Sequence, residues 1–298
     1  MRPFPIDFKK ERVAIVAHDA GGANQIAAFL KRIPCRKSIA VYAEGPALRI
    51  WKSELPELNF LSSLENALEN ADIIVTGSGW QSDLEYKAIK SARLKSLRTI
   101  TVLDHWANYI DRFIRNAELV LPSEIVVVDE YAAIDAKKSF PKLKISQIQD
   151  FYLMDCLAQI GPPDSSKKPS LLHIAEPIRL NWGINEPGEF QVLRYLVRNL
   201  QKLSIPADTA IKIRPHPSER PEKYTNWLEN QSMPSVQVDF GQPLSDAITT
   251  ATWVSGCESY ALVVAAASGR DAFSALPPWA NKCRLPHPSI IRLQDFIK

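Results

Sequence analysis

Five consecutive apolar residues, Val13-Ala-Ile-Val-Ala17, form the first regular pattern in the chain. Gly21-Gly22 follows, and then Ile26, Ala27, Phe29 and Leu30 recur at helical spacing. A short β-branched run, a glycine turn and a period near 3.6 residues read as strand, turn and helix. The same sequence of events begins again at Ile39–Tyr42 and at Ile73–Thr76, where Gly77-Ser78-Gly79 leads into a helix expected over Asp83 to Lys95. Thr99–Leu103 and Ile125–Val128 are further buried-strand candidates. Such runs alternating with helices predict a parallel sheet covered on both faces.

At Gly161-Pro-Pro-Asp-Ser-Ser-Lys-Lys-Pro-Ser170 the periodicity stops and prolines, serines and charges take over. This composition suits an interdomain linker. Beyond it the alternation resumes: a strand over Leu171–Ala175, a helix over Glu189–Leu203, a strand over Ala210–Ile213, and a helix over Pro221–Asn230. Val236–Val238, a helix over Leu244–Thr250, Trp253-Val254 and a small-residue helix over Ser259–Ala267 complete the series. The expected division is residues 1–160, a linker at 161–170, and residues 171–298, with two Rossmann-like parallel-sheet α/β domains.

Composition narrows the partners more than the fold. The chain has 298 residues, 46% hydrophobic and 23% charged, with 36 basic against 33 acidic side chains. At roughly 100–200 residues per domain this fits two domains. A net charge of +3 with no basic run gives no electrostatic footprint for nucleic acid. The longest apolar stretch, near Ala261–Ala267, falls short of the roughly 20 residues a membrane-spanning helix needs. Cys35, Cys156, Cys257 and Cys283 are widely spaced, without a C-x-x-C pair. That spacing suits neither a zinc clamp nor a disulfide framework, and a reducing cytoplasm is expected.

In open parallel sheets, ligands bind beyond the carboxyl ends of the strands. Of the five histidines, His18, His105, His173 and His216 fall at or just after expected strand ends. In Arg214-Pro-His-Pro-Ser218 two prolines bracket His216. Proline fixes φ and restricts its neighbour, so the loop is stiff and the imidazole is aimed. An imidazole beside the Arg214 guanidinium and the Ser218 hydroxyl suits a phosphate oxygen. At Trp253-Val-Ser-Gly-Cys-Glu-Ser259 a strand turns at Gly256 into a helix of small residues. Glu258 could accept two ribose hydroxyls there, while Ser259 and the helix N–H groups could hold phosphate. A plain capping serine is the alternative.

The first half offers a base and an acceptor surface. Ala17-His-Asp-Ala-Gly-Gly22 puts His18 and Asp19 at a strand end, with Gly21 and Gly22 allowing a close turn against a ligand. Asp104, His105, Trp106, Asn108, Tyr109 and Arg112 crowd the end of another strand. Hydrogen-bonding groups beside an aromatic ring suit a sugar. Asp104 is favoured slightly as the base and could equally be a nucleophile. Ser78 and its flanking glycines offer backbone N–H groups. There is no G-x-G-x-x-G after the first strand, no Walker sequence, no G-x-S-x-G, no H-E-x-x-H and no D-x-D. Nicotinamide, ATP and chelated-metal chemistry lack their usual signatures, so a metal-independent reaction without a cofactor is expected.

On His216-Pro217 and on Ser259 with Glu258 beside it, the second half resembles the nucleotide-binding domain of GT-B glycosyltransferases, especially the bacterial sialyl-, Kdo- and capsule-type enzymes with a His-Pro motif. The resemblance covers roughly Leu171 to Leu276. It implies a GT-B-like pair of domains facing a cleft, with Arg214, His216, Pro217, Ser218, Glu258 and Ser259 holding a nucleotide-sugar donor, usually a CMP-sugar. Asp104, Asp19 or His18 would activate the acceptor, and Gly21, Gly22, Ser78, His105 and Trp106 would line its site. The implied acceptor is a glycan or surface polysaccharide, in a cytoplasmic enzyme that can work beside the inner membrane with a polysaccharide-assembly partner. A nucleotide-sugar epimerase of the same architecture, and a non-catalytic sugar-nucleotide-binding protein, are the alternatives. One departure stands out: many such enzymes end in a long helix, whereas here the stretch after Leu276 is proline-rich with one brief helical segment.

Overall fold

The structure, a computed structural model, describes residues 4–34, 36–79, 82–163, 166, 168–177, 182, 186–220, 222–233, 235–239 and 241–297. Cys35, residues 164, 165 and 167 of the expected linker, and Pro221 at the start of an expected helix lie outside the described residues. The chain divides into two compact units, Met1–Asp155 and Cys156–Lys298.

In the first unit the elements are β1 (Val13–Ala17), α1 (Ala20–Leu30), β2 (Ile39–Ala43), α2 (Gly45–Glu54), β3 (Asn59–Phe60), α3 (Leu64–Glu69), β4 (Ile73–Thr76), α4 (Leu84–Leu94) and β5 (Arg98–Val102). A small antiparallel hairpin, β6 (Ile114–Arg115) and β7 (Glu118–Leu119), precedes β8 (Glu124–Val127), α5 (Glu130–Ser139), β9 (Lys144–Gln147) and α6 (Phe151–Gln159). The sheet runs β3-β2-β1-β4-β5-β8-β9 with every pairing parallel. All five residues of β1 are buried because alternate side chains serve two layers. Val13, Ile15 and Ala17 pack with Ile26, Leu30 and Trp51 of α1 and α2. Ala14 and Val16 pack with Leu68, Leu84 and Ala88 of α3 and α4.

The second unit repeats this plan with β10 (Ser170–Ile174), α7 (Gly188–Arg198), β11 (Ala210–Arg214), α8 (Glu222–Glu229), β12 (Val236–Val238), α9 (Leu244–Thr250), β13 (Trp253–Gly256), α10 (Tyr260–Ala267), β14 (Asp271–Ser274), β15 (Ile290–Arg292) and α11 (Leu293–Phe296). Its order is β12-β11-β10-β13-β14-β15, again wholly parallel. Leu171, Ile211 and Ile213 pack against Phe190, Leu193 and Leu196 of α7.

In both units the strand order reverses beside the first strand: between β1 and β4, and between β10 and β13. Such switch points open a crevice at the carboxyl ends of the strands. The unit boundary falls within α6, ahead of the expected linker. Arg270 explains part of this, since its Nη2 donates to the Gly161 carbonyl at 2.7 Å and binds the start of the proline-rich stretch to the second unit. Among the described residues no helix is long and apolar enough to cross a membrane.

Candidate functional site

The end of β1 carries the first cluster. His18 Nδ1 lies 2.8 Å from Asp19 Oδ1, with 22% and 18% of the two side chains exposed. An ionised carboxylate accepts only, so Nδ1 carries the proton and Nε2 is left as the basic nitrogen. Both main-chain groups of His18 are also held: its N–H donates to Glu85 Oε1 at 2.8 Å and its carbonyl accepts from the Ala47 N–H at 2.9 Å. Gly45, at φ +51°, passes beside the ring, and a Cβ built there would lie 2.5 Å from Nε2. A side chain at this position would cover the basic edge.

Gly21 and Gly22 do allow a close approach, but the partner is the chain itself. A Cβ on Gly21 would lie 1.7 Å from Asp104 Oδ2, and one on Gly22 would lie 2.9 Å from the Gly77 Cα. The glycines therefore seat the ends of β4 and β5 against the start of α1.

Asp104 is committed elsewhere too. Its Oδ1 accepts from Ser78 Oγ at 2.7 Å and from Arg112 Nη1 at 2.9 Å. Arg112, itself buried, also donates to the Ser78 carbonyl, to Ser78 Oγ and to the Ala107 carbonyl. Burial alone would raise the Asp104 carboxyl, but the Arg112 charge, the Ser78 hydroxyl and His105 outweigh it and hold it below the usual carboxylate range. A group so held is a weak proton acceptor. Ser78 is likewise a brace between β4 and β5. Trp106 is only 5% exposed, and its indole N–H donates to Asp129 Oδ2 at 2.8 Å at the start of α5. It ties the β5 loop to α5, contrary to the expectation of an open stacking surface for a sugar. His105 beside it is half-buried, its ring centroid 5.6 Å from that of Trp106.

In the second unit the His216 loop has the stiffness expected of it. The Glu219 N–H donates to the His216 carbonyl at 2.8 Å, closing a turn with Pro217 at its second position, where the fixed φ of proline belongs. The Ser218 N–H donates to His216 Nδ1 at 3.2 Å, and Ser218 Oγ lies 2.7 Å from the same nitrogen. With Nδ1 accepting, the neutral ring carries its proton on Nε2, as a donor. Glu219 is pinned to α8 by the Tyr224 hydroxyl at 2.8 Å and by Lys223, which also reaches Glu189. Arg214, at the end of β11, donates from Nη1 to the Gln242 carbonyl.

The α10 end differs from expectation. The N–H groups of Cys257, Glu258 and Ser259 all donate to Glu176 Oε1, each at 2.9 Å. The acceptor at this helix start is therefore the chain's own Glu176 carboxyl, from the loop after β10, in the place expected for a donor phosphate. Gly256 fits closely here, a Cβ on it lying 3.0 Å from the Ile174 carbonyl. Burial pushes the Glu176 carboxyl up to about 7, against the pull of the three N–H donors. Ser259 is the helix cap, its Oγ accepting from the Ala261 N–H. Glu258 is paired with Arg284, whose backbone N–H donates at 3.0 Å and whose Nε donates at 3.1 Å and whose Nη2 also donates. The carboxylate expected to meet ribose hydroxyls thus meets a guanidinium. His173, inside β10, is a core residue bonded to Ser255 Oγ at 3.0 Å, and burial lowers it to about 4.

Sequence reasoning missed Glu85, Glu176 and Arg284. For Glu176 a signal existed: Ala175-Glu-Pro177 repeats the strand, charge and proline order of Ile213-Arg-Pro215. Glu85 is a first-turn helix acid, which sequence alone reads as a dipole partner. Among the described residues no group of three or more His, Cys, Asp and Glu is placed to hold a metal ion.

No protein-family model matches the sequence, and no curated protein sequence matches it. Solved structures do match. The S. aureus MnaA–UDP co-structure superposes with a TM-score of 0.59 at 11% identity, over 88% of this chain and 78% of that one. UDP-GlcNAc 2-epimerase from Rickettsia bellii gives 0.58 at 10%, over the same shares of 88% and 78%. The glycotransferase of kitacinnamycin gives 0.52 at 13%, over 94% and 85%. At these identities the likeness is one of fold. The chain has the two parallel-sheet α/β domains of GT-B-like proteins.

Proposed function

We propose that the chain is a nucleotide-sugar-dependent glycosyltransferase in which His18, oriented by Asp19, is the general base. The observation that carries this reading is the 2.8 Å contact between His18 Nδ1 and Asp19 Oδ1 at the end of β1. It leaves Nε2 basic, in a half-buried setting that Gly45 leaves uncovered. A carboxylate behind an imidazole fixes its tautomer and stabilises the imidazolium that forms. In the reaction Nε2 takes the proton of an acceptor hydroxyl, and the oxygen attacks the anomeric carbon. The bond from that carbon to the donor's phosphate oxygen breaks, and the nucleotide leaves with its charge on phosphate. On the second unit, His216, presenting Nε2–H from a rigid turn, and the Arg214 guanidinium are the proposed donors that bind a nucleotide's phosphate.

Asp104 takes no proton in this scheme; with Arg112 and Ser78 it braces the loops that flank the dyad. The donor's phosphate is assigned to the His216 loop, because Glu176 already holds the α10 N–H groups. The His-Pro motif points to a CMP-sugar, whereas MnaA was solved with UDP, so both belong in the assay. A surface glycan is the proposed acceptor. Epimerisation is the second reading, favoured by the likeness to UDP-GlcNAc 2-epimerases.

The test is incubation with CMP-, UDP- and GDP-sugars, with and without a glycan panel, followed by mass spectrometry and NMR of the sugar. Transfer predicts acceptor-dependent nucleotide release that His18→Ala reduces by about 10²-fold or more. Isomerised donor sugar in the absence of acceptor supports epimerisation instead. Turnover unchanged in His18→Ala rules out the assigned base.

A further inference from the structure

Glu85 is a carboxyl in a place that ordinarily disfavours one. It lies in the first turn of α4, is 2% exposed, and its Oε2 is buried with no hydrogen-bond partner among the described residues. Its Oε1 accepts the His18 N–H at 2.8 Å, from 67 residues away in sequence. Gly79 sits between the two acids: a Cβ there would lie 2.7 Å from Glu85 Oε1 and 2.8 Å from Asp19 Cγ. Burying an acid with half of its oxygens unsatisfied is costly, and an apolar side chain of similar size would avoid that cost. What the carboxyl supplies, and an apolar side chain cannot, is an acceptor for the amide at which β1 leaves the sheet.

We infer that Glu85 is the positioning residue of the His18–Asp19 dyad, fixing the His18 main chain so that the imidazole stays in register with Asp19 Oδ1. This rests on the dyad reading above. The His18 carbonyl is already tied to the Ala47 N–H; Glu85 fixes the other end of the residue. With both ends held, the Cα–Cβ direction of His18 is fixed relative to Asp19. The ionisable groups facing Glu85 are His18 and Asp19. Burial raises the Glu85 carboxyl above its ordinary range, the His18 N–H opposes that rise, and Asp19 adds to it.

Imidazole nitrogen NMR of the ligand-free protein tests this, with the His18 signals assigned by their loss in His18→Gln. In the wild type the Nδ1–H tautomer of His18 should dominate by about tenfold or more, the scale of a hydrogen bond to a charged group. Glu85→Gln keeps an oxygen acceptor and should keep that preference. Glu85→Met keeps length without an acceptor and should reduce the preference to threefold or less. A folded Met variant with the wild-type tautomer ratio overturns the inference. Should that variant not fold, loss of the tautomer preference in a folded Glu85→Gln variant, which keeps the oxygen acceptor, overturns it instead. Neither readout needs a substrate, so this inference can fail while sugar transfer stands, and the reverse.

Discussion

Replacing Glu176 by glutamine separates two forces that act on one oxygen. Three backbone N–H groups at 2.9 Å and the start of α10 favour a carboxylate there. Burial favours the neutral acid, and it prevails, raising the group from 4.5 to about 7. An acid whose pKa is raised by folding contributes stability that is fully present below 4.5 and is lost as pH rises through about 7. The full shift corresponds to about 3 kcal/mol, and the partial exposure of the side chain reduces this to roughly 1–2 kcal/mol. Glutamine still offers an oxygen to the three N–H groups and does not ionise. Glu176→Gln should therefore match the wild type near pH 4.5 and exceed it by about 1–2 kcal/mol at pH 8. For a unit of this size that is a few degrees in Tm, on the order of 2–4 °C per kcal/mol. Urea denaturation at pH 4.5, 6, 7 and 8, followed by circular dichroism, reads the difference directly. If the glutamine variant is less stable than the wild type at pH 8, the helix start wins over burial and the reasoning is wrong.

Three other perturbations probe the braces around the site. Arg112→Ala leaves Asp104 half-buried beside Ser78 without its cation, and should cost about 3–5 kcal/mol by urea denaturation; a loss below 1 kcal/mol would mean that water replaces the guanidinium freely. Gly21→Ala drives a methyl group into Asp104 Oδ2 and should cost about 1–3 kcal/mol, whereas an Asp104→Ala background should remove most of that penalty. His173, neutral and buried, has a pKa lowered from 6.5 to about 4, so its contribution is complete above 6.5 and is lost as pH falls towards 4, by up to about 3 kcal/mol. His173→Gln should flatten that part of the acid-denaturation profile, and an unchanged profile would place the acid sensitivity elsewhere.

The parallel strands were the most legible part of the fold. β1 and β4 have the bounds that the apolar pattern predicts, because strands covered on both faces have no polar alternation to confuse them. α2 escaped notice because only Ala47 and Trp51 of Gly45-Pro-Ala-Leu-Arg-Ile-Trp-Lys-Ser-Glu54 are buried, too few to set a period. β9, at the sheet edge, reads Lys-Ile-Ser-Gln and has no fully buried residue. β14 is four residues long and opens on the exposed Asp271.

The site was legible as a set of strand ends and not as a set of contacts. Residue density drew attention to Asp104 and Arg112, which the structure pairs with each other. What density could not show is that Asp104 Oδ1 accepts from both Arg112 and Ser78, and that Oδ2 lies close against Gly21. The same holds for Glu176, whose partners lie 81 to 83 residues on. A strand-end acid and a helix start each look available to a ligand until the fold brings them together.

Nucleotide binding tests the central claim most directly. Isothermal titration of the whole chain with CMP, UDP, GDP and CDP should show saturable binding of one of them at a single site, with affinity reduced about tenfold or more in His216→Ala and little changed in Ser259→Ala, whose hydroxyl only caps α10. Absence of binding by all four nucleotides, or full affinity in the folded His216→Ala variant, would contradict the assignment of the His216 loop as the phosphate site.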